Sequence, residues 1–178
     1  MTEKSYAQDL DVERISFGIT SQYNIPGGDL GSFWGNAFGA GPTIQYKISK
    51  DFSFEGNLIF SYLKPLDKKN EMSLPKITLL NMPAGIKYYI NFAPSQKQLF
   101  IVNFQAGIEN NTFIYSGEGS ELVEENSIES EFGVFLSAGI EFFLTNKIST
   151  EFFSAVQNIF SLPENIRIYN FGVKLFTN

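Results

Sequence analysis

The chain has 178 residues, enough for one domain or one closed barrel, with a net charge of −6 and an isoelectric point near 4.7. It contains no Cys and no His, which removes disulfides, thiolate chemistry, His-based general base catalysis and most zinc, copper or haem sites. The acidic balance leaves no basic patch for phosphates, so nucleic acid is not an expected partner. No cofactor or metal is expected.

Aromatics make up 16% of the residues, 19 of them Phe, whereas charged residues are only 18%, a low share for a surface that faces only water. No apolar run reaches the ~18 residues a transmembrane helix needs. If the chain spans a membrane, it does so with strands. Residues 1–11 read as a tail without the apolar core of a secretory signal, so an exported protein is expected here in mature form, and 12–178 read as one barrel domain.

Alternation of apolar and other residues marks the strands. In chain order it runs through Ile15-Phe17-Ile19, then Phe38-Ala40-Pro42-Ile44-Tyr46-Ile48, then Phe52-Phe54-Gly56-Leu58-Phe60-Tyr62. Next come Leu80-Met82-Ala84-Ile86-Tyr88-Ile90 and Phe100-Val102-Phe104-Ala106-Ile108, the longest run Phe132-Val134-Leu136-Ala138-Ile140-Phe142-Leu144, then Ile148-Thr150-Phe152-Ser154-Val156 and Tyr169-Phe171-Val173-Leu175. Eight antiparallel strands are predicted, with a bulge at Pro83, which lacks an N–H for the ladder.

The connections alternate in length. Ser49-Lys50, 93–96 and Thr145-Asn146 are tight, whereas 24–36, 65–75, 111–130 and 158–165 are long. Short turns on one rim and long loops on the other describe an up-and-down membrane barrel.

Alternation alone does not say whether the apolar face meets a core or lipid. Eight such faces carry more bulk than the interior of an eight-stranded barrel holds. The opposite face is rich in Gly18, Gly39, Gly41, Gly85, Gly107, Gly133, Gly139 and Gly172 mixed with Ser, Asn and Gln, which suits a crowded lumen. Tyr46, Phe52, Tyr88, Phe100 and Phe142 near the short turns, with Phe38, Tyr62, Phe132 and Tyr169 near the long loops, form two expected interfacial girdles. The predicted fold is therefore all-β, an eight-stranded antiparallel up-and-down transmembrane β-barrel. A soluble, lipocalin-like barrel binding an apolar ligand is the alternative.

With polar faces inward, Arg14, Glu55, Lys87, Glu141, Glu151 and Lys174 gather in the lumen toward the short-turn end. Buried charges are costly unless they pair, so a network that closes the barrel is expected, against the alternative of a narrow ion path. Glu141 and Glu151 are imaginable as a catalytic carboxylate pair, but the bases beside them favour ion pairing. In the third long loop, Glu118, Glu121, Glu124, Glu125, Glu129 and Glu131 have no base nearby and could attract divalent cations or a basic partner, or form a solvated loop. Trp34, beside Phe33, could contact a ligand or interface, or pack against the rim.

The hairpin from Phe38 to Tyr62, the segment Ile86-Lys87-Tyr88-Tyr89-Ile90 and the final Tyr169-Asn170-Phe171-Gly172-Val173-Lys174-Leu175-Phe176 resemble the small outer-membrane β-barrel proteins of Gram-negative bacteria, of the OmpX, OmpA transmembrane domain and PorT-like kind. The resemblance covers residues 12–177. Such barrels usually end on an aromatic residue, and here Thr177-Asn178 follow Phe176. The resemblance implies a bacterial outer-membrane location, lipid as surroundings, and a protein partner met through the long loops. Enzymes of this architecture use His, which is absent here, so it implies a structural, adhesive or assembly role.

Overall fold

The computed structural model describes residues 15–66, 74–90, 100–116, 127–145, 147–162 and 164–177. The predicted turn at 93–96 lies outside them. The strands are β1 (Ile15–Gly27), β2 (Ala37–Lys47), β3 (Phe52–Asn57, continued as Ile59–Leu63), β4 (Lys76–Ile90), β5 (Phe100–Ser116), β6 (Ile128–Phe143), β7 (Ile148–Ile159) and β8 (Ile166–Thr177). Each pairs antiparallel with the next, and β1 also pairs with β8, from Phe17 opposite Thr177 to Gly27 opposite Arg167. Closure leaves no sheet edge to be covered.

The inward and outward faces follow the alternation in the sequence. Every apolar run named above points outward, with Phe17, Ile108 and Leu136 each more than 60% exposed. The glycines, serines and amides of the opposite parity line the lumen. A tilted strand crosses a bilayer core in ~9–11 residues, about the reach of the outward apolar run from Phe100 to Ile108 in β5. Rings pack in tilted pairs across strands near the short turns, Phe52 against Tyr88 at 5.0 Å and Phe100 against Phe142 at 6.1 Å between centroids.

Two short turns close in the same way. Ile48 and Ser49 N–H both donate to Phe52 O, and the Ser49 hydroxyl accepts from Phe52 N–H. Leu144 and Thr145 N–H donate to Ile148 O, and the Thr145 hydroxyl accepts from Lys147 N–H. A hydroxyl capturing a backbone N–H two or three residues ahead fixes such turns.

The bulge expected at Pro83 does not form. β3 keeps one register against β2 and β4 on both sides of Leu58, with no inserted residue. Instead, two prolines each remove one ladder bond. Leu58 N–H donates to Pro42 O at 3.0 Å and Tyr89 N–H donates to Asp51 O at 2.9 Å. By this alternation Pro42 should return a bond to Leu58 and Pro83 should give one to Asn57, and neither has the N–H to do so. The ladder thins at Asn57-Leu58 without bending out of register.

The third long loop is shorter than its composition suggests. β5 continues to Ser116 and β6 begins at Ile128. The alternation inverts where these strands leave the lipid. Outward positions turn polar at Lys76, Thr78, Asn110, Thr112, Ser130 and Arg167, while inward positions turn apolar at Ile77, Leu79, Phe113, Ile159 and Ile168. At these positions beyond the lipid the barrel follows the ordinary rule of a soluble protein, apolar inside and polar outside, while Ile128 and Leu162 stay exposed. The first long loop likewise contains a short helix, α1 (Gly28–Phe33), whose opening residue Gly28 has φ +63. It lies across the barrel mouth, pinned to the second loop by Gly35 N–H to Lys64 O and Leu66 N–H to Phe33 O.

Candidate functional site: a closed lumen and an acidic rim

Four of the predicted lumen charges form one ring. Glu55 on β3, Lys87 on β4, Glu151 on β7 and Lys174 on β8 are all essentially buried. Lys87 Nζ bonds both Glu55 Oε2 and Glu151 Oε2, the latter at 2.6 Å. Lys174 Nζ lies 2.6 Å from Glu55 Oε1 and 3.3 Å from Glu151 Oε1. Each carboxylate gives one oxygen to each ammonium. Two charges of each sign cancel, the condition under which buried ions are tolerated. Two of the four contacts span the lumen between strands that are not neighbours.

Aromatic rings cover the lysines: Phe153 sits 4.5 Å from Lys174 Nζ and Phe176 5.3 Å from Lys87 Nζ, centroid to nitrogen. Such contacts add cation–π attraction and exclude water. Around the ring, Asn57 donates to Glu55, Thr20 donates to Asn57, and Tyr89 OH meets Gln45 and Ser53.

The other predicted members stand apart. Glu141 pairs across the strands with Glu151, but its hydrogen bond comes from the Ser149 hydroxyl at 2.6 Å. Among the described residues no base is within ion-pair distance of it. Arg14 lies outside the described residues, as do Glu118, Glu121, Glu124 and Glu125.

Midway up the lumen lies a further buried acid, Glu109, which accepts from Asn81, itself bonded to Asn111 and Gln157. It has the inward parity but is remote from the short turns. Between this layer and the ring lies a cavity of about 20 Å³, room for roughly one water molecule. Gln105 Nε2, Ser137 Oγ and Asn170 Oδ1 line it without another hydrogen-bond partner.

At the long-loop end the described residues form an apolar plug in the lumen. Leu30 and Trp34 from the α1 segment pack on Leu63, Ile77, Leu79, Phe113, Ile159 and Ile168. Trp34 is buried, and its indole N–H donates to Pro75 O at 2.9 Å. Beside the plug, Asp29, Glu129, Glu131 and Glu164 ring a cleft. Tyr115 OH donates to Glu129 and Ser161 Oγ to Glu131. Burial, and then the charges of Glu129 and Glu131, push the Tyr115 hydroxyl well above its ordinary pKa.

The barrel, its lipid-facing exterior and its filled lumen leave one family question, and the sequence answers it by matching the outer membrane protein beta-barrel domain over residues 5–175. The chain belongs to that family. It is a β-barrel of the bacterial outer membrane, and the soluble alternative is set aside: the apolar faces meet lipid and the lumen holds polar side chains. Among solved structures the chain is similar to Neisserial surface protein A, at 13% identity and TM-score 0.67, over 92% of this chain and 96% of that one. It is also similar to Ail, the attachment invasion locus protein of Yersinia pestis, solved with the heparin analogue sucrose octasulfate, at 13% identity and TM-score 0.54, over 92% and 95%. At these identities the likeness concerns the fold. Comparison with curated protein sequences finds no match.

The ring lysines and glutamates were legible from parity. Their aromatic covers, Phe153 and Phe176, share the inward parity two residues from Glu151 and Lys174, a signal the sequence carries. The cleft joins residues from α1, β5, β6 and the approach to β8, which no local pattern connects.

Proposed function

We propose that this protein is a closed, non-conducting barrel anchored in the outer membrane, whose work is interaction, adhesion or assembly at its long-loop rim. It carries out no catalysis and needs no cofactor. The observation that supports this most is the double closure of the lumen, by the Glu55–Lys87–Glu151–Lys174 ring below and the Trp34 plug above. The cavity that the described residues enclose between them holds about 20 Å³, which supports a blocked path for ions. A sequence without His or Cys supports the non-enzymatic part.

Ail was solved with a sulfated, polyanionic analogue. Here the cleft at the rim is lined by four carboxylates and by no described Lys or Arg, which turns the partner expected at that cleft toward positive charge. The test is osmotic swelling of vesicles carrying the folded protein in potassium chloride and in small sugars. Swelling no faster than in protein-free vesicles is expected; rapid swelling in either solute overturns the reading.

A further inference from the structure

The rim cleft has a volume of about 220 Å³, below the ~300–1,000 Å³ of pockets for drug-sized ligands and suited to one long side chain. Its floor is apolar, formed by Leu30, Trp34 and Phe113. Its wall is acidic, with Asp29, Glu129, Glu131 and Glu164, and no described Lys or Arg lines it. The two carboxylates with hydrogen bonds receive them from neutral hydroxyls, Tyr115 to Glu129 and Ser161 to Glu131, and among the described residues neither forms an ion pair.

An apolar floor beneath an acidic wall matches a side chain with an apolar stem and a cationic head. We propose that the cleft receives an arginine side chain from a partner protein. The stem lies on Leu30 and Phe113, the guanidinium plane faces the ring of Trp34, and its fork of N–H groups reaches Glu129 and Glu131. Arginine fits better than lysine because its planar, weakly hydrated head stacks on aromatic rings and donates two parallel bonds to a carboxylate. A bare metal ion fits less well, since no described group of acids converges on one point. This inference rests on the reading that the barrel acts through its rim.

Trp34 is the chain's one tryptophan and lines the cleft, so its fluorescence reports occupancy. The full chain, folded in phosphatidylcholine nanodiscs, is titrated with a Gly-Ser-Arg repeat peptide and with the same peptide carrying citrulline or lysine. The expected result is a saturable change with arginine, several-fold weaker binding with lysine, and none with the neutral citrulline. Glu129→Gln with Glu131→Gln should weaken binding by about tenfold. Should that variant fail to show a heat-modifiable folded band, Asp29→Asn with Glu164→Gln, both exposed positions, takes its place. No saturable change, equal binding of the citrulline peptide, or binding unaltered in the folded variant overturns the proposal. A barrel that stays sealed yet ignores the peptide overturns this inference alone, whereas a barrel that conducts overturns the scaffold reading whatever the peptide does.

Discussion

Lys87 of β4 and Glu151 of β7 meet across the lumen at 2.6 Å, joining two strands that share no hydrogen-bond ladder. With Lys174 and Glu55 they tie opposite walls of the barrel together, so the ring is a cross-brace. Removing either lysine leaves the buried carboxylates short of a counter-charge, and removing either glutamate does the same to the ammonium groups.

Lys87→Met should therefore destabilise the barrel by ~3–5 kcal/mol, the cost of breaking a buried pair from one side. Replacing all four members with apolar residues of similar volume should cost far less, because no orphaned charge remains. Urea unfolding from lipid vesicles, followed by circular dichroism, checks both. Equal losses in the single and fourfold variants would argue that packing, and not charge, holds this layer.

On the lipid face, Leu136 stands near mid-height on β6 and is 62% exposed. Leu136→Arg should cost ~2–4 kcal/mol, as cations do at the bilayer midplane. Thr112→Arg, outward but above the apolar band, should cost under ~1 kcal/mol. The same unfolding experiment ranks them, and a reversal would move the membrane boundary.

Gly41 leaves no space for a methyl group. A Cβ there would sit 1.7 Å from Leu58 O, a backbone atom that cannot swing aside, where Pro42 and Pro83 have already thinned the ladder. Gly41→Ala should cost ~1–3 kcal/mol, as overpacking does. Gly28→Ala meets no neighbour but must hold φ +63, which costs ~1–2 kcal/mol for a residue with a Cβ. Chemical unfolding of the two variants measures each cost.

Trp34→Ala should remove ~3–5 kcal/mol by emptying part of the plug and should free the Pro75 carbonyl. In the native protein, Trp34 emission should be blue-shifted and poorly quenched by iodide. Emission at the position of free tryptophan in water would place the indole outside the plug.

Within the lipid the fold was legible because the bilayer enforces one rule at every second residue, as in the runs from Phe100 to Ile108 and from Phe132 to Phe142. Parity also put Glu55, Lys87, Glu151 and Lys174 inside at similar depth. Beyond the lipid the rule reverses, so Ile77, Phe113 and Ile168 face inward while Thr78, Thr112 and Arg167 face out, and a search for apolar exteriors stops short of the strand ends. Glu141 shows the limit of parity: it shares the face and depth of the ring, but register sets it beside Glu151 and Ser149. Proline read as a bulge signal was misleading, because both Pro42 and Pro83 are absorbed by losing single bonds. The cleft depends on α1 lying over the mouth, a tertiary arrangement no alternation encodes.

Planar-bilayer recording of the purified, heat-modifiable barrel decides whether the lumen is sealed. A flat baseline without unitary steps is expected for the native protein in symmetric potassium chloride, at either polarity. Regular single-channel steps that track the number of inserted barrels and change size in Lys174→Met would contradict it, because ions would then be passing through the ring.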